Sequence, residues 1–194
     1  MTLIADRTAE TDHPVLDVFA QRWSTRIFDA AAPLDEQALA SALEAARWAP
    51  SASNTQPWRA IVARRDTPEH ATVFAALVGF NQTWAGTAAA LVVFVAETAT
   101  EDGTPRPWGV YDTGQAAAYF TIQAHASGLA THQMGGFDRD GLADSFGLDA
   151  RFQPMAVTAV GTLGDAATVD ETLRERENAP RERRRVADSL IAGA

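Results

Sequence analysis

The sequence lacks two residue types completely. It contains no cysteine, which excludes disulfides, thiolate metal ligands and thiol nucleophiles and is typical of a cytoplasmic protein. It also contains no lysine, so all 16 residues counted as Lys or Arg are arginines. A planar, permanently charged guanidinium recognises phosphate better than an ammonium does, because its donors form a fixed fork. The arginines are therefore the first candidates for an anion site.

Long apolar runs and metal-ligand patterns are missing as well. The best apolar run, 88–96, is far shorter than the ~18 residues that would span a bilayer. Met1–Glu10 mixes acids, an arginine and threonines, so we expect no secretory signal. The four histidines are scattered without the spacing of metal ligands, so we expect no metal site.

The charge balance restricts the class of partner. The formal net charge is -9, and nucleic-acid binding draws most of its affinity from a basic face, so a nucleic-acid partner is not expected. A length of 194 residues with 46% hydrophobic content predicts one domain, 1–194, with a substantial core. A small anion remains the best explanation for clustered arginines.

The clearest cluster is the stretch Arg22–Phe28, with the sequence RWSTRIF. Arg22 and Arg26 lie four residues apart and flank Ser24. We predict that these three residues hold a phosphate. Taken alone, the stretch also fits a solvated helix end with a surface salt bridge to Asp29, because arginines are mostly exposed.

The apolar pattern predicts the order helix–helix–strand–helix–strand–helix–strand–helix–strand, followed by a charged tail. Asp35 is the expected N-cap of the second helix. The continuous apolar run 89–95 predicts a central strand, and Glu97–Pro107 a polar loop. The helix over 111–127 is apolar nearly all round, so we expect it to be buried in a core or against a partner chain. The order indicates an α+β layer fold with a mixed sheet.

Three further stretches are ambiguous when each is taken alone. Pro50–Trp58 fits an ordered loop or a turn after a helix, and Gly135–Gly136 fits a turn between strand and helix. The arginines of 181–185 fit a solvated basic tail. We interpret His132 and Asp112 as hydrogen-bonded structural residues.

Together these stretches resemble the FMN-dependent nitroreductase family, in the right order and over nearly the whole chain. RWSTRIF is similar to the family's phosphate segment, and APSASNTQPW to its second motif. GLATHQMGGFD resembles the third motif, and APRERR the C-terminal arginine pair. At the position of a basic family residue near the flavin O2, this chain has Trp84.

The resemblance implies how FMN would be held. Arg22, Ser24 and Arg26 would bind the ribityl phosphate and the ring edge near N1 and O2. Arg181 and Arg183 would close on the same phosphate from the tail. The backbone N–H of Gly135 would donate to flavin N5, and Asn81 would meet the pyrimidine edge. The implied cofactor-binding set is Arg22, Trp23, Ser24, Arg26, Pro50, Ser51, Ser53, Asn54, Asn81, Gln133, Met134, Gly135, Gly136, Arg181 and Arg183.

The resemblance also implies an assembly. It predicts a three-layer α+β fold, with a central mixed or antiparallel sheet flanked by helices, in an intertwined homodimer with FMN at the subunit interface. Pro50, Ser51, Ser53 and Asn54 would reach the flavin of the second subunit, and 165–194 would be an arm that embraces the partner. Trp84 and Trp108 would shape the substrate slot together with the loop Glu97–Pro107.

The implied function is an FMN-dependent NAD(P)H oxidoreductase for nitroaromatic, quinone or similar small conjugated acceptors. Hydride from NADH or NADPH would reach flavin N5 and then a second substrate, in ping-pong order, without a protein acid or base. A non-catalytic flavin-binding or sensor protein on the same scaffold is the alternative. A hydrolase that uses Ser51 or Ser53 is a third possibility, but it lacks a base partner.

Overall fold

The computed structural model describes residues 7–193 of the chain. The expectation of no signal in Met1–Glu10 therefore falls mostly on residues outside this range. The described residues form these helices and strands: α1 Asp17–Gln21, α2 Glu36–Arg47, β1 Trp58–Arg64, α3 Pro68–Ala76, β2 Ala90–Glu97, α4 Gly109–Ala126, β3 Ala130–Met134, α5 Arg139–Ser145, β4 Phe152–Gly161 and α6 Glu171–Asn178. The expected order of nine elements is confirmed, and α6 follows them in the charged tail.

The four strands make one antiparallel sheet in the order β1-β2-β4-β3. All three named strand pairs are antiparallel, so of the two expected sheet types the antiparallel one is correct. Strand β2 lies inside the sheet, with Val93 opposite Ile61 on one side and Val157 on the other. Its continuous apolar sequence is explained by this central position, because a central strand covered on both faces has no polar side.

Helices cover both faces of the sheet, which confirms the three-layer arrangement. On one face, Leu91 and Val93 join a core with α3 and α5, of which Val73 and Leu142 are fully buried members. On the other face, Val92 of the same strand packs with residues of α2 and α4. Neighbouring residues of β2 thus enter different cores, as the alternation of side chains along a strand requires.

Local signals set the ends of several elements. The Asp35 carboxylate accepts a hydrogen bond from the Ala38 N–H at 2.9 Å, which confirms the expected N-cap of α2. Gly128, with φ +85°, follows the end of α4 in the left-handed conformation that glycine adopts without strain. Glu97 is an exception to the prediction: it is the last residue of β2 rather than of a loop, and it is 4% exposed.

The tail returns from β4 to the start of the chain. The Gly164 N–H donates to the Ile27 carbonyl at 3.0 Å, and a Cβ at Gly164 would lie 2.7 Å from the backbone carbon of Phe28. Only glycine allows this approach, so the tail passes directly over the end of the Arg22–Phe28 segment. Helix α6 then brings the last arginines of the chain back to its first ones.

Candidate functional site

The stretch Arg22–Arg26 leaves α1 in extended conformation and lies beside β3. Ser24 forms a parallel bridge with Thr131, the second residue of that strand. Thr25 is 1% exposed, whereas Ser24 is exposed and Arg22 and Arg26 are half-buried. Successive side chains of an extended segment point to opposite sides, so the fold anchors Thr25 inward and leaves the Ser24 side chain outside.

The structure brings the predicted arginines from both ends of the chain into one cleft of about 450 Å³. Arg22, Ser24 and Arg26 form one wall, and Arg181 and Arg183 form another. The remaining lining residues are Arg7, Trp23, Arg176, Glu177, Ala179, Pro180 and Glu182. Sequence reasoning from the residues alone could not have joined positions more than 150 residues apart.

Positive charge in this cleft is not neutralised by ion pairs. Within residues 7–193, the ion pairs of the structure involve other arginines and none of Arg22, Arg26 or Arg183. Burial lowers the pKa of Arg22, and the like charges of Arg181 and Arg183 lower it further. Guanidinium groups that repel one another in a partly buried cleft favour the binding of an anion.

Arg181 is engaged differently from its neighbours. One of its terminal nitrogens donates to the carbonyl oxygens of Arg7 and of Ala20, the latter at 2.6 Å. The other donates to the carbonyl oxygen of Arg22 at 2.8 Å. The guanidinium therefore binds backbone of the N-terminal segment, whereas within residues 7–193 the side chain of Arg183 donates only to the neighbouring Glu182 carbonyl.

Glu177 is a buried carboxylate in the cleft that sequence reasoning missed. It is 2% exposed, accepts from Trp23 Nε1 at 2.6 Å and accepts from the Arg26 N–H at 2.9 Å. Its sequence context, ETLREREN, is typical of a solvated helix and gives no sign of burial. The residue could have been found only from the apolar Leu173, which lies four residues earlier and therefore on the same helix face.

The second part of the candidate site lies where β3 ends. The Asn81 amide donates to the Gly136 carbonyl at 3.1 Å, and a Cβ on Gly136 would lie 3.0 Å from that amide nitrogen. Gly135 is exposed, and a Cβ there would meet no atom within 4 Å. The structure therefore brings Asn81 and the glycine pair together and leaves open space above Gly135.

Gln133 and Met134, two further predicted cofactor residues, connect β3 to the body of the protein. Gln133 Nε2 donates to Thr121 Oγ1 at 2.7 Å and to the Ala117 carbonyl at 3.1 Å, and both acceptors belong to α4. Met134 is 3% exposed and belongs to the core. These contacts fix the end of β3 just before Gly135.

His132 links the two parts of the site. Its Nδ1 lies 2.9 Å from the Thr25 carbonyl oxygen, which confirms the interpretation as a hydrogen-bonded structural residue. Burial lowers its pKa, so the neutral ring predominates, and a neutral ring that faces a carbonyl must carry its proton on Nδ1. The ring also packs against Trp84, with centroids 4.6 Å apart.

The two tryptophans predicted to shape a substrate slot differ in exposure. Trp84 is 1% exposed and stacks on Phe28 in the core, although its edge reaches a cavity of about 620 Å³ that Arg26 also lines. Trp108 is 60% exposed and meets Tyr111, which is 63% exposed, edge to face. Trp108 is therefore accessible to a ligand or another chain, whereas Trp84 belongs to the core.

The loop between Pro50 and Trp58 has an unusual backbone. Ser53, Asn54 and Gln56 all adopt positive φ, near +50°, although none is glycine. Each such residue costs of order 1 kcal/mol and persists where the surroundings enforce it. No residue of this loop is among the described residues that line the cleft at Arg22. One chain therefore does not bring the loop to the phosphate end of the candidate site.

Helix α4 holds this loop. The carboxylate of Asp112, which is 3% exposed, accepts from the Ala52 N–H at 3.0 Å. Gln115 Nε2 donates to the Pro50 carbonyl at 3.4 Å. The expected structural role of Asp112 is confirmed, and the loop is fixed to the turn of α4 that also carries Trp108 and Tyr111.

The described part of the chain has neither a metal cluster nor a membrane-spanning helix. Among residues 7–193, no group of three or more His, Cys, Asp or Glu side chains is placed to hold a metal ion. No helix in the same range is both long and apolar enough to cross a membrane.

Comparison with known proteins agrees with this geometry. The model of the nitroreductase family matches residues 19–162, which cover the Arg22 segment, the Pro50 loop and the glycine pair. The chain belongs to the nitroreductase family. A member of this family is expected to have the antiparallel sheet and the flanking helices found here.

Individual relatives of this nitroreductase-family chain cover most of its length. A solved structure described as an oxidoreductase containing FMN is 34% identical, with a TM-score of 0.88 and coverage of 95% of this chain and 94% of that chain. YdgI of Bacillus subtilis, provisionally named an NAD(P)H nitroreductase, is 27% identical over 187 residues, covering 77% of this chain and 88% of the relative. A structure from Desulfovibrio desulfuricans with FMN, provisionally named a nitroreductase, is 24% identical with a TM-score of 0.74, covers 95% of this chain and 99% of that one, and shows the fold alone.

Proposed function

We propose that this member of the nitroreductase family is an FMN-dependent NAD(P)H oxidoreductase that reduces nitroaromatic, quinone or similar small conjugated acceptors. The observation that carries the proposal is the cleft in which arginines from 22–26 and 181–183 meet, while no carboxylate among residues 7–193 forms an ion pair with Arg22, Arg26 or Arg183. The names of the relatives support the same cofactor and reductant.

The residues of the cleft fit the phosphate of FMN. A phosphate monoester carries a charge of about -1.5 to -2 near neutral pH, which would offset the repulsion among Arg22, Arg181 and Arg183. The exposed hydroxyl of Ser24 is a further donor beside Arg22 and Arg26. Forked guanidinium donors with a hydroxyl are the donor set that a phosphate prefers.

The end of β3 fits the ring of the same cofactor. The open space above Gly135 allows the backbone N–H to approach a flat ligand, which a side chain at this position would obstruct. Asn81 donates to Gly136 and, because an amide both donates and accepts, still offers its oxygen to a ring N–H. Both parts of the site lie at β3, since Ser24 pairs with Thr131 and the glycine pair follows Met134.

FMN would supply the hydride chemistry between NADH or NADPH and the second substrate. Arg22, Ser24, Arg26 and Arg183 would hold its phosphate, the end of β3 would orient its ring, and Arg26 would place positive charge near the ring edge, where it would tune the redox potential. The chain therefore needs no acid or base of its own for the first half-reaction.

We also propose that the active form is a homodimer with FMN at the subunit interface. The Pro50–Asn54 loop is held in a strained conformation away from the phosphate cleft of its own chain, which favours a contact with the other subunit. Helix α4, which supports the loop, exposes Val110, Tyr111 and Tyr119. The exposed apolar residues Val186, Leu190 and Ile191 support an arm, 165–194, that packs on the partner.

Anaerobic reduction of the purified protein tests the proposal. We expect a yellow protein whose flavin absorbance is bleached by NADH or NADPH and returns when a quinone or nitroarene is added. A flavin that binds but is not reduced by either nucleotide would indicate the flavin-binding or sensor alternative. A colourless protein that does not bind added FMN would overturn the cofactor assignment.

A further inference from the structure

The walls of the phosphate cleft include two residues that bind other parts of the protein. The Glu177 carboxylate accepts from Trp23 Nε1 and from the Arg26 N–H, at 2.6 and 2.9 Å. It forms no ion pair with an arginine side chain in the described part of the chain. Burial lowers the pKa of Arg26, and the charge of Glu177 raises it. The carboxylate therefore supports the charged guanidinium but repels a phosphate, and its two hydrogen bonds to the segment indicate a further role.

Arg181 makes the complementary contacts from the same tail. It donates to the carbonyl oxygens of Arg7, Ala20 and Arg22, which lie before and at the first residue of the phosphate segment. Glu177 accepts from Trp23 and from Arg26, at the two ends of the part Arg22–Arg26 that carries the arginines. The tail thus contacts the segment at both ends, with an acceptor for its N–H groups and a donor for its carbonyl groups.

The middle of the segment is held by β3. His132 Nδ1 contacts the Thr25 carbonyl, and Ser24 forms its bridge with Thr131. At the Arg22 end, the backbone N–H also donates to the Val18 carbonyl of α1 at 3.1 Å, so the tail supplies the contact to the Arg22 carbonyl and both contacts of Glu177, to Trp23 and to the Arg26 N–H. An extended segment without hydrogen-bonded neighbours has little to fix its backbone, and each ordered residue costs about 1–2 kcal/mol of conformational entropy.

We propose that Glu177 and Arg181 are positioning residues that fix the backbone of Arg22–Arg26 for phosphate binding, and that neither is a phosphate ligand. The inference rests on the proposed function, since the anion is taken to be the phosphate of FMN. It reassigns Arg181, for which sequence resemblance implies direct phosphate contact. Arg183 remains the ligand from the tail, because its side chain has no backbone partner beyond the adjacent Glu182 carbonyl among the described residues.

The sign of one substitution separates the two roles of Glu177. If the carboxylate acted only through its charge, Glu177→Gln would remove a negative group and strengthen phosphate binding. If it positions the segment, phosphate binding weakens, because the two donors each need an acceptor oxygen and the Gln amide has only one. Riboflavin lacks the phosphate, so the ratio of its dissociation constant to that of FMN reports the phosphate contribution alone.

The experiment measures binding of FMN and of riboflavin to the flavin-depleted full chain. We expect Glu177→Gln to raise the Kd for FMN by about tenfold and to reduce the riboflavin-to-FMN ratio, as loss of a charge-assisted hydrogen bond implies. Trp23→Phe, which removes one donor without a change of charge, should shift the ratio in the same direction. An unchanged or increased ratio in both variants would overturn the proposal.

Glu44→Gln is the matched control. Glu44 also accepts from a tryptophan Nε1, that of Trp48 at 2.9 Å, but it is exposed and lies on α2 away from the cleft. We expect it to leave the ratio unchanged. If the wild-type chain binds neither flavin, the proposed function fails; if it binds FMN and the ratio in Glu177→Gln does not fall, only the positioning role fails.

Arg181 and Arg183 are separated by hydrogen exchange of the flavin-depleted protein. We expect Arg181→Met to accelerate amide exchange over 20–28, because the contacts that it removes exist without a ligand. Arg183→Met should leave this exchange unchanged and still reduce the riboflavin-to-FMN ratio. Equal exchange in the two variants would show that Arg181 does not position the segment.

Discussion

Asp112 accepts a hydrogen bond from the Ala52 N–H at 3.0 Å, and this bond connects the long helix α4 to the loop that carries Ser51, Ser53 and Asn54. The two residues are 60 positions apart, and the carboxylate is 3% exposed. A loop with several residues in left-handed conformation needs such external support, because its own backbone geometry is unfavourable. The relationship leads to the first prediction.

Asp112→Ala should release the loop. The Ala52 N–H would lose its acceptor, and we expect the free energy of unfolding to fall by about 1–3 kcal/mol, the usual cost of an unsatisfied partly buried donor. If the loop contacts the partner's flavin, FMN retention should fall as well. Asp112→Asn keeps an acceptor oxygen and serves as the control; denaturant unfolding that gives equal losses for both variants would contradict this role.

Arg22→Ala and Arg183→Ala should each weaken cofactor retention. A charged hydrogen bond contributes about 1.5–3 kcal/mol, so we expect the Kd for FMN to rise by roughly 10- to 100-fold in either variant. Arg64→Ala is the control, since Arg64 is bound by the Glu36 carboxylate at 2.7 Å on the surface. Variants at 22 and 183 that both purify fully flavinated would refute the phosphate assignment.

Stability should decrease in mild acid because of buried histidines. Burial lowers the pKa of His70 and of His132, so the unfolded chain binds protons that the folded chain does not. Above the unfolded histidine pKa of about 6.5, these two groups leave the free energy of unfolding at its full value. As the pH falls below that pKa, the free energy of unfolding decreases by at most about 1.4 kcal/mol per pH unit for each group.

His132→Asn isolates one contribution to that pH dependence. Asparagine keeps an N–H for the Thr25 carbonyl but does not titrate, so thermal denaturation from pH 5 to 8 should show a smaller decline than in wild type. His13→Asn, at an exposed position, is the control. A decline that is the same in all three proteins would exclude His132 as a source.

Two glycines of α4 should respond to alanine in opposite ways. A Cβ at Gly109 would lie 2.4 Å from the Glu97 carbonyl oxygen, so Gly109→Ala forces the helix start away from β2 and should cost about 1–3 kcal/mol. A Cβ at Gly114 would meet nothing within 4 Å, and Gly114→Ala should be neutral or stabilising by about 0.5–1 kcal/mol. Chemical denaturation of the two variants measures both changes in the free energy of unfolding. A Gly109→Ala variant as stable as wild type would contradict the close approach of Gly109 to the Glu97 carbonyl.

The elements with strong local signals were predictable from the sequence. The Asp35 cap, the apolar run of β2 and the glycine after α4 each determine their structure through neighbouring residues. Helix α6 was not predicted because most residues of ETLREREN are charged and Leu173 is its one apolar residue, so the stretch shows little periodicity. Its burial depends on the tail meeting Trp23 and Arg26, which is a long-range property.

The sequence predicts that the site prefers an anionic ligand, but it does not predict which arginine contacts the ligand and which contacts the protein backbone. Clustered guanidinium groups in an acidic chain indicate an anion wherever they fold together. The sequence does not reveal that Arg181 donates to carbonyl oxygens of the N-terminal segment while Arg183 donates to the neighbouring Glu182 carbonyl, because two arginines so close together in one tail have the same local context. The difference depends on the backbone of the N-terminal segment, whose carbonyl oxygens at Arg7, Ala20 and Arg22 accept from Arg181.

The wall of the cleft that contains Glu177 is synthesised after the four strands of the sheet. A nascent chain acquires all four strands of the sheet before α6 leaves the ribosome, so its fold can form while one wall of the cleft is absent. On the proposed phosphate assignment, we expect flavin to bind tightly only after translation has passed Arg183. Premature termination between Gly161 and Glu177 should therefore yield protein with a complete sheet and little colour.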